Sequence, residues 1–343
     1  MLNEEFLGAG AFPDLLPRPR GELSGRLLAA LRGPAESLAW PDSDAVAAAT
    51  SEDFDLALYC CYELHYGGLD GVDEEWEWEP GLLGFRALLE RRLEAELRAL
   101  VGPVEVGPDE VVTELHRLAG SGGGRSLSGW LSEQGTFDQL REVFVHRSAY
   151  QLKEADPHTW AVPRLSGSAK ATLFEIQYGE YGEGDGDAMH SSLFAEAMEC
   201  IGLDTRPNAY LDRIPGLTLR STNLISFFGL HRRLRGALVG HLALFEMTSV
   251  GPMSRYAEAV NRLGLPARAR RFYEVHIEAD VAHAELAAGG LVGGLVKAEP
   301  LVAGDVVFGA RALQEVEAGV TEMILSAFES GASSLLPGPA IPG

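Results

Sequence analysis

Apolar residues recur at helical intervals along most of the chain. Residues 20 to 50 are rich in Ala and Leu, and RALLERRLEAELRALVG (86–102) sets apolar and charged positions three and four apart with Glu-to-Arg pairing. Alternating strand patterns are scarce, so the expected fold class is all-α, a helical bundle with an N-terminal helical extension. AGSGGGRSLS (119–128) is the clearest break. It separates an N-terminal helical accessory region, 1–128, from a core, 129–331. The Pro/Gly-rich SGASSLLPGPAIPG predicts a flexible tail over 332–343.

Two other runs need placing. GALVGHLALFEMTSVGPMS (236–254) carries one charge, Glu246, but glycines, a proline and hydroxyls interrupt it, which favours a buried helix over a membrane span. DGVDEEWEWEPG (70–81) reads as an acidic surface loop.

The helix that carries chemistry is FYEVHIEADVAHAE (272–285). With His276 at zero on a wheel, Asp280 falls at about 40° and His283 at about −20°, on one stripe. Glu274, Glu278 and Glu285 gather at about 160 to 200°, on the opposite side. The three glutamates take the water, so the two histidines and the aspartate face inward. A buried carboxylate without a partner costs several kcal/mol, so partners must exist.

Three acids qualify. Glu246 is isolated in its apolar run. Glu180 ends the stripe Ala169, Leu173, Ile176 of SGSAKATLFEIQYGEYG. Glu154 shares a broad face with Leu140, Val143, Phe144 and Tyr150, spoiled by Arg147, in a helix that Pro157 is expected to end. His190 opens HSSLFAEAMECIGL after the break YGEGDGDAM, which lets the chain turn back. The remaining histidines, His158 and His241 among them, are assigned to packing or surface.

Composition narrows the ligand. Of 343 residues, 46% are hydrophobic, enough for a sizeable core; acids outnumber bases 50 to 28 for a net charge of −22, which excludes general attraction to nucleic acid or anionic membrane. A small molecule is the expected partner. An acidic N-terminus with no apolar stretch behind it suggests a cytoplasmic protein. The three cysteines, Cys60, Cys61 and Cys200, fit neither a disulfide framework nor a zinc site and read as buried small hydrophobes.

Four carboxylates and three imidazoles, Glu154, Glu180, His190, Glu246, His276, Asp280 and His283, balance two divalent cations, the charge logic of a carboxylate-bridged di-iron or di-manganese bundle. A metal-free ion-pair network is the competing reading, but four buried acids have too few nearby bases. The paired ExxH motifs of ferritin-type bundles do not occur.

LKEADPHTWAVPRLSG, EIQYGEYGEGDGDAMHSSLF, GLHRRLRGALVGHLALFEMTS and FYEVHIEADVAHAE together resemble the iron-containing redox enzymes called heme-oxygenase-like di-iron oxidases. The resemblance covers about residues 130 to 325, and CCYELHYGG more loosely. It implies a heme-oxygenase-like fold without heme, with Glu154, Glu180, His190, His276, Asp280 and His283 holding two non-heme Fe(II) ions; the glutamate matching Glu246 is a ligand in some members. It further implies O2 as co-substrate, an external reductant from a reductase or small electron donor, and a homodimer. The reaction favoured is N-oxygenation of a small amine, guanidine or amino acid. Oxidative C–C cleavage, desaturation or decarboxylation is the alternative at the same site, and an iron-storage or iron-binding protein the alternative of another class. Arg235, in the basic cluster HRRLR (231–235), and Phe227 are the candidate substrate contacts.

Overall fold

The computed structural model describes residues 16–36, 38–121 and 124–338. Among them there are helices and turns and no strand. The helices that frame the molecule are α1 (Glu22–Leu31), α2 (Ser51–Glu63), α3 (Pro80–Val101), α4 (Val111–Gly120), α5 (Leu127–Glu133), α6 (Phe137–Gln151), α7 (Gly167–Glu180), α8 (His190–Cys200), α9 (Gly216–Leu230), α10 (Arg235–Arg262), α11 (Arg268–Glu285) and α12 (Ala303–Glu329).

Local sequence explains where key helices begin. Thr136 and Gln139 form a reciprocal capping box at the start of α6, each side chain bonding the other's backbone N–H. Pro80 occupies the first turn of α3, where its missing N–H costs nothing. The apolar run 236–254 lies within α10, largely buried, and no helix among the described residues is long and apolar enough to cross a membrane.

The long helices α10 and α12 cross with their backbones in contact. A Cβ on Gly240 would sit 1.8 Å from the Val306 carbonyl oxygen, and one on Gly309 1.9 Å from that of Ala237. Only glycine fits at either position, and the crossing fixes α10 less than two turns before Glu246. α11 packs along α10, α8 packs on α11, and α7 packs on the helical segment Leu286–Gly293 that continues α11.

The helices of the 1–128 region share one apolar core with the rest: α2 packs on α9, and α4 packs on α10 and α12. Within the break at 119–128, residues 122 and 123 lie outside the described residues. Three local expectations need revision. α6 ends at Gln151, not at Pro157; Ala155 then takes a φ of 76°, and Pro157 sits in the first turn of the next short helix, Asp156–Thr159. The acidic segment 70–81 contains a short 3-10 helix and is anchored by fully buried Trp76, whose indole N–H donates to the Gly33 carbonyl. Part of the tail is docked: the Ser334 hydroxyl bonds Glu142 and His146, and the backbone N–H of Leu336 donates to the Arg213 carbonyl. Residues 339–343 of that tail lie outside the described residues.

Candidate metal centre

The seven titratable residues arrive from five places along the chain. α11 delivers His276, Asp280 and His283 from one face, and all three are buried while Glu274 and Glu278 remain on its outer side. Glu246 comes from α10, behind the glycine crossing. Glu180 is the last residue of α7 and His190 the first of α8. Between them Gly182 has a φ of 65° and packs against the backbone of Ala188 and Met189, so the chain folds back on itself. Glu154 lies beyond the end of α6, in the turn before Ala155. An alanine held in the left-handed region costs about 1–3 kcal/mol, and such strain gathers at functional sites.

The result is two overlapping clusters. Ligand-type atoms of Glu154, Glu180, His190 and His276 lie within 4.8 Å of one another, as do those of Glu180, Glu246, Asp280 and His283. Glu180 belongs to both. Its Oε2 is 2.8 Å from His190 Nδ1 and its Oε1 3.6 Å from His283 Nδ1. His283 Nδ1 is also 3.4 Å from Glu246 Oε2 and 3.7 Å from Asp280 Oδ1, and His276 Nε2 is 3.7 Å from Glu154 Oε1. His276 Nδ1 donates to the Phe272 carbonyl at 2.7 Å, which turns Nε2 towards the acids.

These contacts are too long or too poorly aligned to satisfy the group. Glu154 Oε2, His190 Nδ1, Asp280 Oδ1 and His283 Nδ1 are buried without a hydrogen-bond partner. Unpaired buried polar atoms of this kind are costly, and four of them converging from three parts of the chain fit a metal ion as the missing partner. The mixed N/O donor set, without sulfur, suits iron.

Electrostatics agree. Burial pushes the Glu180 carboxyl up, but His190, His276 and His283 outweigh it and bring it down to about 2. Burial dominates at Glu246, with Glu180 and Asp280 adding to it, and raises that carboxyl to about 7. Asp280 is likewise raised, chiefly by burial. Burial opposes charge on His276, yet Glu154, Glu180 and Asp280 lift it to about 10; His283 is also raised against burial, by Glu246, Glu180 and Asp280. The carboxylates therefore demand positive charge at their centre.

Residues 141–318, which include all seven side chains, match the model of the iron-containing redox enzymes. The chain belongs to that family. This iron-containing redox enzyme is thus an oxidoreductase, and buried carboxylates and imidazoles are what its iron requires. It is 26% identical over 147 residues to the nitrosourea synthase of Streptomyces achromogenes subsp. streptozoticus, a match that covers 43% of this chain and 31% of that protein. Two crystal structures of a CADD-like protein of unknown function from Nostoc punctiforme PCC 73102 are each 18% identical. They superpose with TM-scores of 0.48 and 0.49 over 65% and 64% of this chain and 96% and 97% of that one.

A space of about 10 Å³, room for about one water molecule, lies among the clusters, walled by Tyr150, Ala155, Leu242 and Phe245 as well as by the acids. His158 and Gln177 also line it, though neither was singled out by sequence reasoning. Gln177 was findable: on the α7 wheel it falls about 60° from Glu180. The two candidate substrate contacts lie elsewhere. Arg235 starts α10, eleven residues or about 16 Å of helix from Glu246, and its guanidinium is paired with Glu299. Phe227 is fully buried between Phe228 and His231, with Arg233 over its ring. Neither lines that space.

Proposed function

We propose that the protein is a non-heme di-iron, O2-dependent oxygenase that places oxygen on the nitrogen of a small amine, guanidine or amino acid. The observation that carries the di-iron part is the sharing of Glu180 between two four-residue clusters. Glu154, His190 and His276 would hold one iron, Glu246, Asp280 and His283 the other, and Glu180 both. When bound, the irons supply the redox chemistry with O2, and an external reductant returns them to the ferrous state.

The chain's own residues do the rest. Four carboxylates neutralise two divalent ions, the Phe272 carbonyl holds the His276 imidazole in register, and Tyr150, Leu242 and Phe245 keep bulk water from the centre. Similarity to a protein named for making a nitrosourea, a product with oxidised nitrogen, supports nitrogen as the reacting atom.

The test is incubation of the Fe(II)-loaded protein with O2, a reductant and a panel of amines, guanidines and amino acids, read by mass spectrometry. N-hydroxy or nitroso products are expected. Olefin or aldehyde products would overturn the choice of nitrogen, and iron uptake with no substrate-triggered O2 consumption would overturn the enzyme reading.

A further inference from the structure

Glu154 is the one member of the metal centre that no helix carries, since it lies in the turn 152–155. Its own backbone holds it weakly: the N–H of Glu154 reaches the Gln151 carbonyl at 3.4 Å, and left-handed Ala155 follows. The neighbours supply the grip. The ammonium of Lys153 is ion-paired with Glu63, the last residue of α2, and lies 4.6 and 4.7 Å from the ring centroids of Tyr59 and Tyr66. Both members of the pair are nearly out of solvent, their side chains 11% and 4% exposed. The receptor is itself fixed. Glu63 Oε1 accepts from Asn208 Nδ2 at 3.3 Å, Asn208 Oδ1 accepts from the Tyr59 hydroxyl at 2.8 Å, and the Tyr66 hydroxyl donates to Ser226 Oγ at 3.0 Å. On the other flank, Gln177 Nε2 of α7 donates to the Ala155 carbonyl at 2.8 Å. Glu154 thus stands between two clamped residues.

A buried ion pair adds little net stability over apolar residues of the same size, because both ions give up their hydration. What it does supply here is direction, since the carboxylate, the two rings and the amide behind them leave the ammonium one place to sit. We infer that Lys153 is a positioning residue for the metal centre: α2 holds its ammonium, and the turn so pinned aims the Glu154 carboxylate at the position it shares with His190 and His276. Through Glu63 the N-terminal region becomes part of what builds the centre. The inference rests on the ligand assignment of the function proposed above and adds a residue that acts through one of those ligands.

The experiment is anaerobic calorimetric titration of the metal-free full chain with Fe(II), for wild type, Lys153→Met, Glu154→Ala and the double variant. Wild type is expected to take up two equivalents. Lys153→Met is expected to weaken one of them at least about tenfold, as loss of a group that orients a ligand does, and to leave the other unchanged. In the Glu154→Ala background the same substitution is expected to change iron binding no further, because a residue that only aims Glu154 then has nothing to aim. Wild-type affinity at both positions in Lys153→Met overturns the inference and leaves the metal reading intact. An equal fall at both positions, or the same fall with Glu154 already removed, overturns it too, since either marks a general loosening of the centre. Should Lys153→Met fail to fold, Glu63→Gln, which keeps the shape of the receptor and removes its charge, carries the same comparison. A wild type that takes up no iron would instead sink the underlying functional reading.

Discussion

Two groups of histidines lie side by side in the interior and behave in opposite ways. His276 and His283 sit among Glu154, Glu180, Glu246 and Asp280 and are pushed towards protonation, His276 to about 10. His158 Nε2 and His241 Nδ1 face each other at 3.3 Å, next to Phe228 and Phe245. There burial prevails: His158 falls to about 4 despite the pull of Glu180, and His241 well below its ordinary value, with His158 adding to the effect of burial. All are buried. The difference lies in the carboxylates, so depth alone does not make an imidazole a ligand; acids around it do.

The sharpest way to break this comparison is to remove its shared acid. Glu180→Ala should reduce iron from the expected two per chain to near zero, measured by plasma mass spectrometry on protein reconstituted with Fe(II). Retention of most of the iron would show that Glu180 is not common to both positions. A smaller effect is expected from His276→Ala, Asp280→Ala or His283→Ala, each removing about one equivalent and leaving the other. Undiminished iron in all three would refute the ligand assignment.

The smallest effect concerns the neutral group. His146, His158 and His241 all have folded-state values below their unfolded one, His146 at about 3 and His158 at about 4, with burial the leading cause in each. Above about pH 6.5 both states are neutral and these residues contribute no pH dependence. Below it the unfolded chain takes up protons that the folded chain refuses, so stability falls as pH drops from about 6.5 towards about 4. His241→Phe should make that decline shallower by one histidine's share in urea melts of the metal-free protein, and should leave iron content after loading unchanged. An identical acid limb would mean that His241 does not stay neutral.

What was legible in the chain follows from periodicity. The α11 wheel turned His276, Asp280 and His283 inward, and the structure has them buried, because a regular helix preserves its phase from sequence to fold. Glu246 and Glu180 were visible for the same reason. Glu154 lay on an apolar face, but its helix ends three residues earlier; its inward position comes from a turn and a left-handed alanine, which no wheel describes. The partnering of His158 with His241 and that of Lys153 with Glu63 depend on which helices cross, and tertiary contacts of that kind leave no mark in local spacing. Arg235 and Phe227 misled because a basic cluster in an acidic chain looks like a ligand site, whereas here the acids that neutralise it come from distant segments: Glu299 for Arg235 and Glu94 for Arg233.

The hydrogen bond from His276 to the carbonyl of Phe272, four residues back in the same helix, bears on protein engineering. In many metal sites the group that aims an imidazole lies on another element and must be transplanted with it. In α11 the aiming group is part of the same turn, so an 18-residue cassette, Arg268–Glu285, carries its own alignment. Grafted into an unrelated bundle, it would leave the host to supply the facing glutamates and the histidine that α8 contributes here.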